Sequence, residues 1–599
     1  MEKMKNPFEV STPEGISAKE VHELFVDVFT DFYQVPEVGH AFLSGPRGSG
    51  KSMMFRYMMP DCQKISRNCS LRDLDYFSLY APIKLTDINY PELDRLKDSS
   101  NTYFNEHLLT TYIAIKCFKS LIDHEDEFKD SLVEIRTFYE EVFLWYVDIS
   151  GYDIASLKVQ FESSKDYITK MVKILDEMFL KCKVYCKKIA MSPLITQEYN
   201  GPLCNYIDFL YPLLLEFKKM PFIPQNKPIF ILVDDAGYLN ETQTKILNTW
   251  VSYRTSQDIS IKISTQLDYK SLKTITNKTI DSPHDYSQVN IATVYTTSNN
   301  TYYKRLVIIV RKRIEKYLQK EIDPKAFFPV DIEQEQKIET IKQQLREVHY
   351  DVNKAYAAGD AARRYATSEY FKLLKASRSG ATYNYAGFDN LVDISSGIIR
   401  HFLEPASRMF SEHISRNNID INEITFIPDG VQDDIIKEYS SSFLENEFQK
   451  VVDEHGNKNG NDRLSKADKL FNLINGLGQM FHRIFVSDKS ERIVFSVALN
   501  DSPDSELKEI IDLAEHYGYL HKSSIGNKQG TGRCRLYILS RTLSPYFKLD
   551  PTGFKGYKFM NSNVLKISLT DPVKFEREAN KAMSETTQNN QLDLLSGLN

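Results

Sequence analysis

The sequence predicts an α/β fold, with a parallel sheet in its first half and a smaller α+β domain near its C-terminus. The short apolar run Ala41–Ser44 leads into a glycine-rich turn, and a second apolar run at 229–233 leads into two carboxylates. Continuous apolar runs are typical of parallel strands, because both faces of a parallel sheet are covered. The stretches between these runs carry apolar residues at three-to-four spacing, which predicts helices packed around the sheet.

The composition is that of a folded protein with several domains. The chain has 599 residues, enough for about three to five domains of roughly 150 residues each. It is 42% hydrophobic and 26% charged, which excludes a mostly disordered chain, a collagen-like fibre and a small disulfide-stapled scaffold. A net charge of −6 argues against a chain that is basic throughout, but it permits a local basic patch. Seven scattered cysteines suit free thiols in a reducing compartment.

Nothing in the sequence predicts a membrane segment or a secretory signal. The first fifteen residues lack an apolar core, and runs such as 229–233 and 306–310 are far shorter than the ~20 residues of a spanning helix. We therefore expect a soluble, cytoplasmic protein.

The remaining elements are predicted from periodicity and from turn-forming residues. A polar stretch rich in glycine and asparagine, at 453–462, is the predicted linker. After it we expect a helix, a strand at 492–499, a helix, a basic hairpin and a loose polar tail. Before it we expect a helix at 18–33, strands at 41–44, 76–85, 229–233 and 259–264, helices over 100–222, a basic helix at 300–320 and helices over 332–420.

The strongest motif is a glycine-rich loop that fits GxxxxGK[ST] between the first strand and a helical pattern. Its glycines allow successive backbone N–H groups to surround an anion, and the helix that follows adds its dipole. Lys51 is placed to reach the β- and γ-phosphates of a nucleotide, and Ser52 to ligate Mg²⁺. The predicted nucleotide-binding residues are Gly45, Pro46, Arg47, Gly48, Ser49, Gly50, Lys51, Ser52 and Met53.

The carboxylates after the strand at 229–233 supply the second half of such a site. We expect Asp234 to hold Mg²⁺ and Asp235 to polarise the attacking water. Many enzymes of this kind carry Glu at the second position, and the shorter Asp leaves the rate of hydrolysis open. The alternative is that the two aspartates only begin a surface loop.

Two further polar positions are candidates for sensing the γ-phosphate. Thr265 and Gln266 follow the strand at 259–264, which we expect to lie between the loop strand and the carboxylate strand. Arg400 lies in the first turns of a helix that opens after Ser396 and Gly397. Taken singly, each of these residues would more often be an ordinary surface residue, and the spacing relative to the other two motifs is what favours a sensing role.

The ordered set of motifs resembles the AAA+ ATPases, and within them bacterial proteins similar to the origin-recognition (Orc-type) initiator ATPases. The resemblance spans nearly the whole chain, although the helical insertion at 100–222 is not part of the common core. It rests on the segments 45–57, 231–240, 252–266, 282–289, 396–405, 490–499 and 533–557.

The resemblance implies an AAA+ P-loop core, a helical lid and a C-terminal winged-helix-like domain, with ATP and Mg²⁺ as ligands. It makes Thr265 and Gln266 sensor 1 and Arg400 sensor 2. Arg254 or Arg305 becomes an arginine finger for a neighbouring copy in a homo-oligomer, although either arginine could equally be solvated. The domain limits it suggests are 1–40 for an N-terminal segment, 41–330 for the core, 331–445 for the lid, 446–575 for the winged-helix-like domain and 576–599 for a flexible tail.

A winged-helix domain implies contact with double-stranded DNA, and the C-terminal region partly agrees. Between residues 518 and 560 there are eight Lys or Arg residues and one acid, Asp550. The glycine-rich turn at 526–532 would be the wing, with Lys528, Arg533 and Arg535 as its phosphate contacts.

Two features argue against base reading by this region. Only one helix fits between its first two strands, where a full winged helix has two. That helix carries an acidic stripe that a DNA groove would repel, formed by Glu506, Glu509, Asp512 and Glu515. A module used for protein contacts is therefore an equal alternative, and the helical insertion is a second candidate surface for a protein partner.

Two functional hypotheses follow. The first is an ATP-driven switch that acts on or near DNA, in a DNA transaction or, by family analogy, in defence against mobile elements. The second is a regulatory scaffold that holds ATP with little hydrolysis and presents its insertion and C-terminal module to a protein partner.

Overall fold

The computed structural model describes residues 5–27, 32–191, 198–253, 257–267, 269–291, 301–348, 355–376, 382–458, 463–487, 493–526, 533–552 and 556–579. The chain divides into two compact units. The N-terminal unit comprises Ser11–Gly45 and Gly50–Ile291, and the C-terminal unit comprises Met1–Val10, Pro46–Ser49 and Ala292–Asn599. The middle of the glycine-rich loop is therefore grouped with the C-terminal unit.

The N-terminal unit is built on a parallel five-stranded sheet, as predicted. The strand order is β2-β3-β4-β1-β5, so β4 lies between β1 and β3. Because the carboxyl ends of parallel strands share one edge of the sheet, the segments that follow β1, β3 and β4 lie side by side. The strands are β1 (Ala41–Ser44), β2 (Phe77–Pro82), β3 (Ile229–Asp234), β4 (Ile259–Thr265) and β5 (Ser287–Asn290).

Helices surround this sheet. The helix predicted at 18–33 ends at Leu24, where Phe25 becomes extended and its ring stacks on Tyr57 at 3.8 Å. Two π-helical segments, Phe138–Phe143 and Tyr206–Leu210, adjoin α8 and α10. The α-helices are α1 (Ala18–Leu24), α2 (Lys51–Tyr57), α3 (Pro60–Arg67), α4 (Leu85–Ile88), α5 (Asp98–Ile122), α6 (Glu125–Phe128), α7 (Leu132–Thr137), α8 (Leu144–Ile149), α9 (Ser164–Met191), α10 (Tyr211–Phe217) and α11 (Glu241–Ser252).

The insertion predicted at 100–222 is helical and shares its core with the sheet. Apolar side chains of α5 and α9, such as Phe118 and Met171, belong to one buried cluster with Leu79, Ile231 and Ile261 of β2, β3 and β4. Burial of this continuous apolar surface is what holds the insertion against the sheet.

The C-terminal unit contains a helical region followed by a second sheet. At its start, Phe8 packs against Phe327, Phe328 and Phe410, which ties the N-terminal segment to this unit. Its helices are α12 (Thr301–Leu318), α13 (Pro324–Phe327), α14 (Ile332–Val348), α15 (Ala355–Ala376), α16 (Phe388–Ile394), α17 (Ile399–Asn417), α18 (Asp429–Glu445), α19 (Gln449–His455), α20 (Lys466–Phe485), α21 (Ser505–His516), α22 (Ser544–Phe547) and α23 (Ser562–Ile567).

The second sheet has the order β7-β8-β6-β9, with β8 antiparallel to both neighbours and β9 parallel to β6. As predicted, α21 alone connects β6 to β7, so the module has the order helix, strand, helix, hairpin of a winged-helix-like fold. Its strands are β6 (Val494–Leu499), β7 (Leu520–Gly526), β8 (Arg533–Leu539) and β9 (Gly556–Met560).

Two further segments differ from their prediction. The first three residues of the linker predicted at 453–462 are the last residues of α19, and 459–462 lie outside the described residues. At the start of the predicted tail, Glu576 and Ala579 are buried, and Glu576 forms an ion pair with Arg483. Packing therefore continues to residue 579. Among the described residues, no helix is both long enough and apolar enough to cross a membrane.

Candidate functional site

The glycine-rich loop curls between β1 and α2. Gly48 and Gly50 have φ of 82° and 99°, in the left-handed region that glycine adopts without steric cost. The loop is fixed at its start, where the Gly45 N–H donates to the Thr265 carbonyl at 3.2 Å. It is fixed again in its middle, where the buried Ser49 hydroxyl donates to the Pro46 carbonyl at 2.7 Å. These bonds make the loop a preformed turn.

Lys51 closes this turn. Its side chain is 5% exposed, and its ammonium donates to the Gly45 carbonyl at 2.7 Å. The next two residues begin α2: Ser52 is half-buried, and Met53 packs against the cluster that contains Val21. Arg47 is exposed. Lys51 therefore links the first residue of α2 to the first residue of the loop, Gly45.

Asp234 ends β3 with a buried carboxylate, 2% exposed. One carboxylate oxygen accepts from the Tyr80 hydroxyl at 2.8 Å. The other accepts from the Ser264 hydroxyl and from the Asp235 N–H, the latter at 3.1 Å. Donors on both oxygens fix the orientation of the carboxylate at the sheet edge that β1 and β4 share.

Asp235 follows with φ of 57°, in the left-handed region. Its N–H also donates to the Ser264 hydroxyl at 2.9 Å. Asp and Asn adopt this conformation more readily than other residues with a side chain. An aspartate therefore suits the local backbone at this position.

The sensor candidates lie in two places. Thr265 pairs in register with Ser44 and is 1% exposed, and its hydroxyl donates to the Gln266 carbonyl at 3.1 Å. It is thus beside the start of the loop, and the half-buried Gln266 is the next residue. Arg400 lies in the C-terminal unit, in the first turn of α17, with an exposed side chain.

Arg400 meets the loop through its main chain. Its N–H donates to the Gly48 carbonyl at 3.2 Å, within the C-terminal unit. A Cβ atom added to Gly48 would lie 2.7 Å from the Arg400 Cβ, closer than real contacts allow. The start of α17 is therefore packed directly on this glycine.

The arginine-finger candidates are not brought to the loop by any described contact. Arg305 is half-buried on α12, and Arg254 lies outside the described residues.

The basic excess predicted for the C-terminal region is only partly available at the surface. Arg541 is fully buried and pairs with Asp393 at 3.3 Å. Lys558 donates to the Ala579 carbonyl at 3.0 Å, and burial lowers its pKa to about 8. Arg533 and Arg535 are exposed on β8, whereas Lys528 and Lys555 lie outside the described residues.

The acidic stripe of α21 is paired with lysines of neighbouring elements. Lys522 of β7 pairs with both Asp512 and Glu515. On the α20 side, Lys469 pairs with Glu506 and Lys466 with Glu509. The stripe therefore faces cations of its own module.

Tyr80 and Ser264 were not identified from the sequence. Both orient Asp234, but neither belongs to a motif. Ser264 would have been found from the strand register alone, since Val233 pairs with Ile263 and the next residues, Asp234 and Ser264, are then neighbours. Tyr80 needs the additional knowledge that β2 flanks β3.

The sheet order and the loop closed by its own lysine define a P-loop nucleotide-binding protein. Residues 6–358 and 336–559 match the ORC-CDC6-like family, and the chain belongs to that family. Its members are AAA+ ATPases, which use ATP with Mg²⁺.

Solved structures were also compared. Cdc6p from Pyrobaculum aerophilum matches with 10% identity and a TM-score of 0.23, over 94% of this chain and 98% of that one. The Aeropyrum pernix Orc1 protein, in complex with DNA, matches with 10% identity and a TM-score of 0.20, over 88% of this chain and 91% of that one. No curated protein matches the sequence.

Proposed function

We propose that this protein is an ATP-binding and ATP-hydrolysing switch that acts on or near duplex DNA. The observation that carries the proposal is the Asp234 carboxylate, oriented by donors on both oxygens at the sheet edge where the loop closed by Lys51 begins.

The residues at this edge fit a nucleoside triphosphate with Mg²⁺. The positive φ of Gly48 and Gly50 suits a turn whose N–H groups face an anion, and the Lys51 ammonium already donates to the Gly45 carbonyl at the start of the loop. Ser52 and Asp234 would hold the metal. When bound, the metal would stabilise the charge that develops on the transferred phosphoryl group.

The chain's own residues have distinct tasks in this proposal. Lys51 binds the β- and γ-phosphates, while Asp235 orients the attacking water and accepts its proton. Thr265, Gln266 and Arg400 respond to the γ-phosphate.

A polar network in the C-terminal unit supports the switch. The turn before α17 bonds to the segment that follows β8: the Arg541 N–H donates to the Ser396 hydroxyl at 2.7 Å, and the Thr542 hydroxyl donates to the Ile394 carbonyl at 3.0 Å. The same α17 begins at the Arg400–Gly48 bond. A shift of Gly48 on nucleotide binding would thus be transmitted to the end of β8.

Steady-state ATP hydrolysis with and without duplex DNA tests this proposal. We expect turnover that duplex DNA stimulates, that Lys51→Ala abolishes, and that Lys19→Ala, at an exposed lysine on α1, leaves unchanged. Turnover equal in Lys51→Ala and wild type would overturn it.

A second function is favoured by the short carboxylate at Asp235. In this alternative the protein is a scaffold that holds ATP with little hydrolysis and presents its insertion or C-terminal module to a protein partner. Tight ATP binding, lost in Lys51→Ala, with negligible turnover in every condition would support it over the switch.

We further propose that phosphate contacts come from the β7–β8 hairpin. Arg533 and Arg535 are exposed there, and the proposal extends to Lys528 in the connecting turn. Filter binding of a duplex across a salt series tests this directly. Each lost phosphate contact reduces the salt slope by about 0.9, so replacing Arg533 and Arg535 together by Ala is expected to reduce it by about two.

The matched control is Lys508→Ala. Lys508 is exposed on α21, so this change affects binding only if α21 enters a DNA groove. A slope that falls with Lys508→Ala and not with the double variant would overturn the hairpin proposal.

Arg305 or Arg254 would act on the nucleotide of a second copy, in a homo-oligomer. Mixing Lys51→Ala with Arg305→Ala subunits tests this for Arg305, because a shared site forms from the intact halves of the two variants. Recovery of turnover above the sum of the separate variants is expected, and no recovery would remove Arg305 from the proposal.

A further inference from the structure

We propose that the helical insertion carries a docking surface for a cationic amphipathic segment of a partner protein, centred on Trp145. This inference is independent of nucleotide and can be tested without it.

The surface begins with apolar side chains that the fold leaves in solvent. Trp145 and Ile149, one turn apart on α8, are 54% and 62% exposed. Leu203 is 43% exposed, and its N–H donates to the Ser150 carbonyl at 2.9 Å, which places it at the end of α8. Exposed apolar side chains that adjoin one another mark interaction sites more often than single ones do.

Trp145 is linked to the insertion core through the ring of its neighbour Tyr146. Its ring meets Tyr146 edge-on at 4.7 Å, and Tyr146 packs against Phe209 at 6.4 Å, at the edge of the insertion core. The π-helical segment Phe138–Phe143 directly precedes α8, and such segments occur often at functional sites. Tryptophan is among the residues that contribute most to the binding energy of protein interfaces.

The acidic residues around this surface favour a cationic partner. Residues 137–157 contain four acids and no Lys or Arg, and residues 198–210 contain two acids and no Lys or Arg. Glu141 and Asp148, four residues before Trp145 and three after it, are exposed, and neither is paired with a cation within the described residues. Lys181 of α9 reaches this region but lies over the Tyr152 ring at 4.0 Å, where Glu177 also accepts from the Tyr152 hydroxyl.

Unpaired carboxylates beside an apolar anchor are complementary to a segment in which Lys or Arg flanks apolar side chains. The same carboxylates repel nucleic acid. We therefore assign the surface to a protein segment and not to DNA.

The fluorescence of Trp145 can report whether the docking surface is occupied. The chain has two tryptophans, and the other, Trp250, is 1% exposed. Acrylamide quenching of tryptophan emission therefore reads the exposure of Trp145, and Trp145→Phe should remove the quenchable component. The probes are two synthetic 14-residue helical peptides, one of Leu and Lys and the other of Leu and Glu, together with a 20-base-pair duplex.

We expect the Leu–Lys peptide to lower the quenching constant of Trp145 at least twofold, and the Leu–Glu peptide and the duplex to leave it unchanged. The double substitution Glu141→Lys and Asp148→Lys, at two exposed positions, should reverse this preference while the far-UV spectrum stays the same.

Three results would overturn the proposal. The first is that neither peptide protects Trp145 from quenching. The second is that the Leu–Lys peptide protects Trp145 in the charge-reversed variant as well as it does in wild type. The third is protection that rises with protein concentration alone, which would assign the surface to a second copy of the chain.

Discussion

Gly48 is the residue at which the loop and the start of α17 meet. Its φ of 82° and the 2.7 Å approach of the Arg400 Cβ leave no room for a side chain. We expect Gly48→Ala to lower ATP affinity at least tenfold, because a left-handed alanine costs about 1–2 kcal/mol and its methyl group pushes α17 away. Isothermal titration with ATP and Mg²⁺ measures this.

The control for that change is Gly430→Ala in α18. An added Cβ there meets nothing within 4 Å, and alanine is the better helix former. ATP affinity should be unchanged. If both variants bind ATP like wild type, the close contact at Gly48 has no role in the site.

Tyr80 and Ser264 are positioning residues for Asp234. Replacing Tyr80 with Phe and Ser264 with Ala removes one hydrogen-bond donor each, while the half-buried ring at position 80 and the buried Cβ at position 264 stay in place. We expect each change to lower the rate of ATP hydrolysis about tenfold, equivalent to about 1.4 kcal/mol, with ATP affinity in the absence of Mg²⁺ unchanged.

The test is single-turnover hydrolysis combined with nucleotide titration in EDTA. Tyr103→Phe, at a tyrosine that is 62% exposed, is the control. If nucleotide affinity in EDTA falls by the same factor as the rate of hydrolysis, the two hydroxyls support the fold of the site and not the orientation of the carboxylate.

Among the elements, α21 shows how an apolar face and a charged face contribute differently. Its charged face is paired with lysines. The Lys466–Glu509 pair is largely exposed, and exposed ion pairs contribute about 0–1 kcal/mol each. Its other face is buried, with Leu507 and Ile510 0% and 1% exposed. We expect Glu509→Gln to cost under about 1 kcal/mol and Ile510→Ala about 2–5 kcal/mol.

Pulse proteolysis across a urea series, read on fragments of the C-terminal unit, measures both changes. A larger loss for Glu509→Gln than for Ile510→Ala would mean that the ion pairs, rather than apolar burial, hold α21.

The same helix shows what the sequence could and could not predict. Its place as the single helix between two strands and its acidic stripe follow from local patterns, and both were predicted. The cations that face the stripe come from α20, β7 and α23, so their placement depends on tertiary packing. Arg541 is a similar case, because its charge was counted at the surface while the fold buries it against Asp393.

At the sheet edge, too, some features follow from local sequence patterns and others depend on tertiary structure. The loop residues and Asp234 follow from motifs at the ends of apolar runs, which short-range patterns determine. Tyr80 and Ser264 depend on strand order and register, which no single segment encodes. The contact of Arg400 with Gly48 joins residues about 350 positions apart in sequence, and only the fold defines it.

At the scale of the whole molecule, the C-terminal unit buries titratable rings that link stability to pH. His521 on β7 is 8% exposed, and burial, together with the charge of Arg541, lowers its pKa to about 4. His401 on α17 lies between Tyr439 and Phe443, and burial followed by the charges of His521 and Arg400 lowers its pKa to about 3. Both rings are therefore neutral in the folded state at pH 5.

The sign of the resulting pH effect follows from proton binding. An unfolded histidine takes up a proton below its ordinary pKa of 6.5, while the folded ring of His521 stays neutral down to about pH 4. Unfolding therefore binds protons within this window, and stability falls as the pH is lowered. At about 1.4 kcal/mol per pH unit, this one ring should cost about 2 kcal/mol at pH 5 relative to pH 7.

His521→Gln isolates this effect, because glutamine is neutral at both pH values while every other titrating group is kept. Hydrogen exchange of the β7–β8 amides measures the free energy of opening. On going from pH 7 to pH 5, this free energy should fall by about 2 kcal/mol less in the variant than in wild type. His284→Gln, at an exposed ring, should follow wild type at both values. If His521→Gln also follows wild type, the His521 ring is protonated in the folded state at pH 5, and the acid sensitivity of the C-terminal unit lies with other groups.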